Sequence, residues 1–398
     1  MPRRSAGCPP SVRIDDEAVD VGRVWEAPVR NPQPDLYHGL MRYVLCVPVW
    51  GEFFRDVWAR WVVPSYLAPG NLPFLAEANE IDVLIFTRNE DADWLAQQRW
   101  IRALSEIASI SIVPLPAEVH TPDMHLKRGE PMQLKYTVHS RCIRHAEQRY
   151  RGQPDVVLLP AYGDGMWTAG YCRTIAEALA DGRHVVTAPA LSVDLGGFGP
   201  ALDARIAERA TGAFDSGEIC RLAFHHPHPG HAAQIWTSGV SSANFSYFYW
   251  PVGDEGLVSH LVHPGANAVH LGRIRPEAFT FSGSIDMRFV FMASPDVTNV
   301  AVIRDSMDGF VLEIANRAYQ RAEIRDRPWT PEGLGAELGH FLSWGMLFDP
   351  KTQGGVALTP CRFRYGPCSD AWERVEAEST AAIRATLENI ALPADAAR

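Results

Sequence analysis

The sequence predicts an α/β protein: a Rossmann-like, mostly parallel sheet flanked by helices, with a mixed α/β C-terminal extension. Three observations carry this. The runs 43–49, 81–86 and 155–159 are continuous Val/Leu/Ile segments rather than alternating ones, the pattern of strands buried on both faces. Segments with helical periodicity separate them, so the chain reads βαβαβ over about 41–190. With 398 residues, 46% hydrophobic and 21% charged, the chain has ample apolar material for a large core.

Residues 1–40 are rich in Pro, Arg and Asp and lack periodicity, which predicts a flexible arm lying over the body. The first strand, 43–49, leads through Trp50-Gly51-Glu52 into an aromatic-rich helix over about 53–63. The Pro and Gly residues of the following stretch, Pro64-Ser-Tyr-Leu-Ala-Pro-Gly-Asn-Leu-Pro73, are expected to end that helix and start another short element. Strand 81–86 runs into Thr87-Arg88-Asn89-Glu90-Asp91 and a helix over about 92–107. A strand at 109–114, a helix over 132–149, strand 155–159, a helix over 171–181 and strand 183–189 complete the layered region. Spacing at every third or fourth position predicts helix within 200–225, whereas 226–300 is irregular with two short strand-like runs. Beyond 300, a strand at 299–303 and helices over about 306–321 and 370–390 are expected. The division predicted is an arm (1–40), a principal domain (41–300) and a mainly helical extension (301–398).

Charge and cysteine usage narrow the function classes. Lys+Arg 37 against Asp+Glu 47 gives a net charge of −10, and no basic run provides a nucleic-acid footprint. Phosphates of a substrate would therefore meet local arginines, backbone amides or a metal. The seven cysteines are scattered without a C-x-x-C pair, which suits a reduced interior. No run approaches the ~18 apolar residues of a membrane span, and Met1-Pro-Arg-Arg-Ser lacks the apolar core of a secretory signal. A soluble cytoplasmic protein is the expectation, with a homo-dimer left open.

Candidate site residues fall mainly in turns. In an open α/β sheet, ligands are held beyond the carboxyl ends of the strands. Three polar turns share that edge: Pro48-Val-Trp50-Gly51-Glu52, Thr87-Arg88-Asn89-Glu90-Asp91, and Ala161-Tyr162-Gly163-Asp164-Gly165. Together they suit a nucleotide, although Asp91 and Asp93 equally suit helix caps. Lys135 and His139 share a helix face; Lys135 reads either as a phosphate contact or as part of a solvated face. His225, His226 and His228 form a dense cluster, but adjacent residues of an extended chain point in opposite directions, and zinc needs converging ligands. The turn Gly253-Asp254-Glu255-Gly256, about ninety residues after Asp164, reads as an acidic turn opening a helix over 257–262. It provides either a helix cap or a base that takes a proton from a hydroxyl. The aromatic stretch ending in Tyr249 and Trp250 offers a stacking surface, and Asp286 an isolated acid.

These pieces in this order resemble the GT-A type of nucleotide-sugar glycosyltransferase. Strand 43–49 is similar to that family's first nucleotide-binding strand, and Asp155 to Asp164 to the strand and turn carrying its diphosphate-binding acid. Gly253-Asp254-Glu255 is similar to the turn that supplies the base in inverting members. Val47-Pro-Val-Trp-Gly51 with Leu67-Ala-Pro-Gly-Asn-Leu-Pro73 also resembles a bacterial glycosyltransferase-like group. The resemblance covers about 42–290. It implies a UDP- or GDP-linked sugar as donor and a glycan or small-molecule hydroxyl as acceptor. The implied donor contacts are Pro48, Trp50, Gly51, Thr87, Arg88, Lys135, Tyr162 and Asp164. The implied acceptor contacts are Tyr249, Trp250 and Asp286, with Glu255 or Asp254 as base. One departure stands out: where the family shows D-x-D, this chain has the single acid Asp164. A divalent ion prefers several oxygen ligands, so the resemblance implies either metal independence or a weak Mg or Mn site on Asp164, His263 and the diphosphate. A metal-dependent hydrolase or deacetylase using His225, His226 and His228 is the rival expectation. A non-catalytic sugar-nucleotide-binding relative is the third.

Overall fold

Seven strands form the central sheet, labelled in chain order: β1 Arg42–Pro48, β2 Glu80–Thr87, β3 Ser109–Pro114, β4 Val156–Pro160, β5 Val185–Thr187, β6 Ala268–His270 and β7 Val300–Val302. The structure, a computed structural model, describes residues 12–14, 17–19, 40–115, 130–207, 215–242, 246–280, 288–316, 324–343 and 350–390. The sheet order is β3-β2-β1-β4-β6-β5-β7. Every pairing in it is parallel except those of β6, which runs antiparallel to both β4 and β5. The result is a mostly parallel α/β sheet, compatible with a Rossmann-like fold. Two short strands, Val12–Ile14 and Glu17–Val19, lengthen the β3 edge, so part of the expected arm joins the sheet.

The continuous apolar strands face two cores, as period-2 geometry requires. Leu45, Val47, Val83, Ile85 and Leu159 enter one, with Tyr171, Ile175 and Leu179 of the helix Tyr171–Ala180. Val44, Cys46, Leu84, Phe86 and Leu158 enter the other, with Val138, Cys142 and Ala146 of the helix Glu130–Tyr150.

Two small sheets extend this body. In one, Val311–Ala315 lies between Gly165–Trp167, to which it is antiparallel, and Ala190–Asp194, to which it is parallel. In the other, Gly256–Leu261 pairs antiparallel with Tyr247–Pro251 and with Pro360–Arg364. No helix among the described residues is long and apolar enough to cross a membrane.

Three local expectations are corrected. The helix expected at 257–262 is the strand Gly256–Leu261. A six-residue apolar run fits either state by periodicity, and pairing along both edges decides for the strand. The helix expected over 306–321 is a 3-10 turn, Ser306–Asp308, followed by the strand Val311–Ala315. Gly309 separates them at φ 121°, where a Cβ would sit 2.7 Å from Tyr171 Cα. Residues 317–323 lie outside the described set. Finally, the first helical segment does not stop at Pro64: Glu52–Val57, a π-turn at Trp58–Val62 and Val63–Tyr66 follow without a break. The amide of Val63 bonds to Trp58 O, and this wider turn accommodates the donor that Pro64 lacks.

Candidate functional site

Strand order reverses between β1 and β4: the chain leaves β1 for β2 and β3 on one side, then returns to β4 on the other. Open α/β sheets hold ligands in the crevice beyond the carboxyl ends at such a point. Val49, Trp50 and Gly51 leave β1 there, and Ala161, Tyr162, Gly163 and Asp164 leave β4. The two turns touch. A Cβ on Gly163 would lie 3.2 Å from Pro48 O and 3.5 Å from Val49 Cγ2, so only glycine permits this approach without a shift.

Three buried polar atoms at this edge have no hydrogen-bond partner in the described protein: Trp50 Nε1, Thr87 Oγ1 at the end of β2, and Thr187 Oγ1 at the end of β5. Such groups are costly when left unpaired; all three lie beneath the edge, shut off from solvent. Tyr162 is half-buried, its ring 5.1 Å from that of His139. Thus Pro48, Trp50, Gly51, Thr87, Tyr162 and Asp164 gather at one rim. Lys135 lies in the helix Glu130–Tyr150, and its side chain is outside the described set.

Arg88 differs from expectation. Its Nε donates to Asp91 Oδ2 at 2.8 Å, and its Nη1 lies 3.1 Å from Glu90 Oε1. Asp91 also accepts from the Gly51 amide at 2.9 Å and from Arg55 Nη1 at 3.3 Å. Burial raises the Asp91 pKa, but hydrogen bonds from Arg88 and Gly51 and the charges of Arg88 and Arg55 outweigh it, holding the carboxyl below its usual range. Asp91 is therefore the hub that fixes the Gly51 turn (φ 77°) rather than a helix cap, and the charge of Arg88 is already matched.

The stretch Leu67 to Pro73 is a clamp. Asn71 is fully buried; its Nδ2 donates to Ser65 O (2.8 Å) and Thr168 O (3.0 Å), and its Oδ1 accepts from the Cys172 amide (3.1 Å). Gly70 (φ 80°) presses on Gly170, where a Cβ would come within 2.7 Å of the Gly170 Cα. Ser65 Oγ accepts from the Trp167 amide at 2.9 Å. The motif thereby locks the strand that follows Asp164 and the helix that follows that strand.

Asp164 is half-buried, and its main-chain oxygen accepts from Ile314 N at 2.9 Å, tying the turn to the small sheet. Across that sheet Gly165, Glu313 and Ser192 stand in one row, and Ser192 Oγ donates to Glu313 Oε2 at 2.7 Å. Two strand spacings put Ser192 on the order of 10 Å from Gly165. Ser192 in turn lines a cavity of about 230 Å3 whose wall includes Phe224, His231, Leu257, Tyr365 and Asp254. Asp254 and the turn of Asp164 thus border the same small sheet.

The neighbouring acid is different. Glu255 accepts from Ser369 Oγ (2.6 Å), the Ser369 amide (3.0 Å) and Trp372 Nε1 (2.8 Å). The Ser369 hydrogen bonds, then that of Trp372, lower its pKa. It anchors the start of the helix Ala371–Glu388, and a carboxylate so occupied is a poor proton acceptor. The expected acceptor platforms are also corrected. Tyr249 and Trp250 are buried: Tyr249 donates its hydroxyl to Ala190 O at 2.6 Å, and Trp250 stacks on Trp236 at 5.1 Å. Asp286 lies outside the described residues.

The metal expectations find no assembled site. Among the described residues no group of three or more His, Cys, Asp or Glu converges, His225, His226 and His228 included. The backbone of 226–228 pairs with Ala190–Asp194 through Asp194 N to His226 O and His228 N to Ser192 O, both 2.9 Å. His228 Nδ1 accepts from the Gly230 amide at 3.1 Å.

Sequence reasoning missed Asn71, Ser192 and Glu313. Asn71 had a legible signal, an Asn between Gly and a helix-starting Leu-Pro. Glu313 had a faint one, a lone acid within Val-Leu-Glu-Ile-Ala. No protein-family model matches the chain, and no curated protein aligns with it significantly.

Proposed function

We propose that this chain is a cytoplasmic glycosyltransferase, moving a sugar from a UDP- or GDP-linked donor to an acceptor hydroxyl with inversion. One observation carries the reading: the strand-order reversal between β1 and β4 coincides with the turns that bring Trp50, Thr87, Tyr162 and Asp164 to one edge of the sheet. In this reading the nucleotide lies across that rim and the sugar extends past Asp164. Asp254, the exposed acid of the hairpin turn, takes the proton of the acceptor hydroxyl as its oxygen attacks the anomeric carbon. The nucleoside diphosphate leaves from the opposite face. Glu255 is assigned to structure, not to this step.

Among the described residues no cluster of three or more His, Cys, Asp or Glu surrounds Asp164, and divalent ions prefer several oxygens, so any ion here would draw most of its ligands from the diphosphate. Nucleoside diphosphates should raise the melting temperature of the full chain through binding linkage. Asp254→Asn should keep that shift while reducing transfer by about 10²–10⁴-fold. Absence of any shift with UDP, GDP, CDP and their sugars counts against the reading. The solitary acid of the β4 turn favours a second reading, a sugar-nucleotide-binding protein without turnover. Its signature is a retained thermal shift with neither transfer nor hydrolysis.

A further inference from the structure

The cavity beside the small sheet has a composition that specifies its occupant. Its volume, about 230 Å3, is below the ~300–1,000 Å3 of sites for drug-sized ligands. The cavity opens to solvent on one side, so its volume sets the part of a ligand that it buries, on the order of one substituted six-membered ring. Apolar and aromatic groups line much of it, including Leu257, Phe224 and Tyr365, whose last two rings meet edge to face at 5.7 Å. The polar lining is chiefly accepting. Asp254 offers a carboxylate. Ser192 has committed its proton to Glu313 and keeps lone pairs. His231, buried, has its pKa pushed down to about 3 by burial and the nearby His228, so it is neutral and supplies no positive charge.

A lining of acceptors against aromatic walls suits a ligand that brings its own donors and an apolar face. Two classes do so: a neutral sugar or polyol, and an organic ammonium held by cation–π contact. Against the second, the Arg221 guanidinium already lies 4.9 Å from the centre of the Tyr365 ring and takes the cation–π position there, which leaves an ammonium only the Asp254 carboxylate; alkylammonium ions are therefore the direct competitor in the test. An anionic group is disfavoured by Asp254.

We propose that this cavity is a binding site for a single neutral pyranose, with its C–H face toward Phe224 and Tyr365 and its hydroxyls donating to Asp254 and Ser192. Calling that sugar the acceptor rests on the transferase reading; the binding itself does not. The row Ser192, Glu313, Gly165 then sets the pyranose about two strands from the turn of Asp164.

The test is saturation-transfer NMR on the full chain with a panel of neutral monosaccharides, their amino-sugar counterparts and simple alkylammonium ions, alongside nucleoside diphosphates. Saturable transfer to the ring protons of at least one neutral sugar is expected. It should weaken tenfold or more in both Tyr365→Ala and Asp254→Asn, with melting temperatures near that of the parent. Tyr365 is partly exposed in a loop after Pro360–Arg364, and Asp254 is exposed, so neither change removes core. Binding of ammonium ions alone, binding unchanged in both variants, or no sugar binding overturns the proposal. Sugar binding without nucleotide binding supports this site and removes the transferase reading; nucleotide binding without sugar binding does the reverse.

Discussion

Two acidic turns that look alike in sequence are built in opposite ways. Tyr162-Gly-Asp164-Gly and Val252-Gly-Asp254-Glu255-Gly each set carboxylates between glycines after an apolar strand. The first stands at the reversal of the central sheet, held from outside: by the Asn71 clamp beneath it and by a main-chain bond from Ile314. The second lies in a hairpin and does part of its own holding, since Glu255 fastens Ser369 and Trp372 while Asp254 is left at the cavity. The difference teaches that an acid's role follows from what reaches it. Adjacent carboxylates on one turn are divided into a strut and a free acceptor by residues more than a hundred positions away.

The comparison can be broken most strongly by acid. His231 and His260 belong to the hairpin side, and burial depresses their pKa values to about 3 and about 4. His260 is wedged between Ala357 O and Ser379 Oγ, at 2.8 and 2.9 Å. Because the folded pKa lies below the unfolded one (about 6.5), the unfolded chain binds more protons as pH falls. Stability is then complete above about pH 6.5 and declines toward pH 4, each histidine contributing a slope on the order of 1.4 kcal/mol per pH unit. His270, at the end of β6 and paired with Val157 of β4, is also pushed down to about 4 by burial, so hydrogen exchange at pH 5 against pH 7.5 should show the hairpin strands and β6 losing protection before β1 and β2. Uniform loss across both regions would contradict the division.

On the other side, Asn71→Ala strips a buried side chain that satisfies two carbonyls and one amide. Unpaired buried groups cost about 1–3 kcal/mol each, partly relieved by relaxation, so a loss of roughly 2–4 kcal/mol in urea unfolding is expected, with nucleotide binding weakened through the displaced turn of Asp164. A neutral result would remove the clamp. The smallest expected effect sharpens the contrast within the hairpin. Glu255→Gln should lower the melting temperature slightly and leave transfer within a few-fold, whereas Asp254→Asn should do the opposite. Loss of transfer in Glu255→Gln at unchanged stability would restore Glu255 as the base.

Much of this fold could be read from the sequence because buried parallel strands are local signals: the expected 109–114 run coincides with Ser109–Pro114, and 171–181 with the helix Tyr171–Ala180. The small sheets were less legible. Gly165–Trp167 is three residues long and pairs with Val311–Ala315, some 145 residues on, so nothing nearby announces either strand. Of the site, the rim at β1 and β4 could be anticipated because strand ends fix its position. The burial of Tyr249 and Trp250 could not, since aromatic runs look the same whether they face a ligand or Trp236. The division of labour between Asp254 and Glu255 was likewise hidden, because Ser369 and Trp372 carry no sequence mark of their target.

The most direct measurement is amide hydrogen exchange of the full chain with and without UDP and GDP. The account predicts new protection confined to residues 49–51, 87–88 and 161–165, the rim where strand order reverses. Protection elsewhere with none at that rim, or no change with either nucleotide, would contradict it.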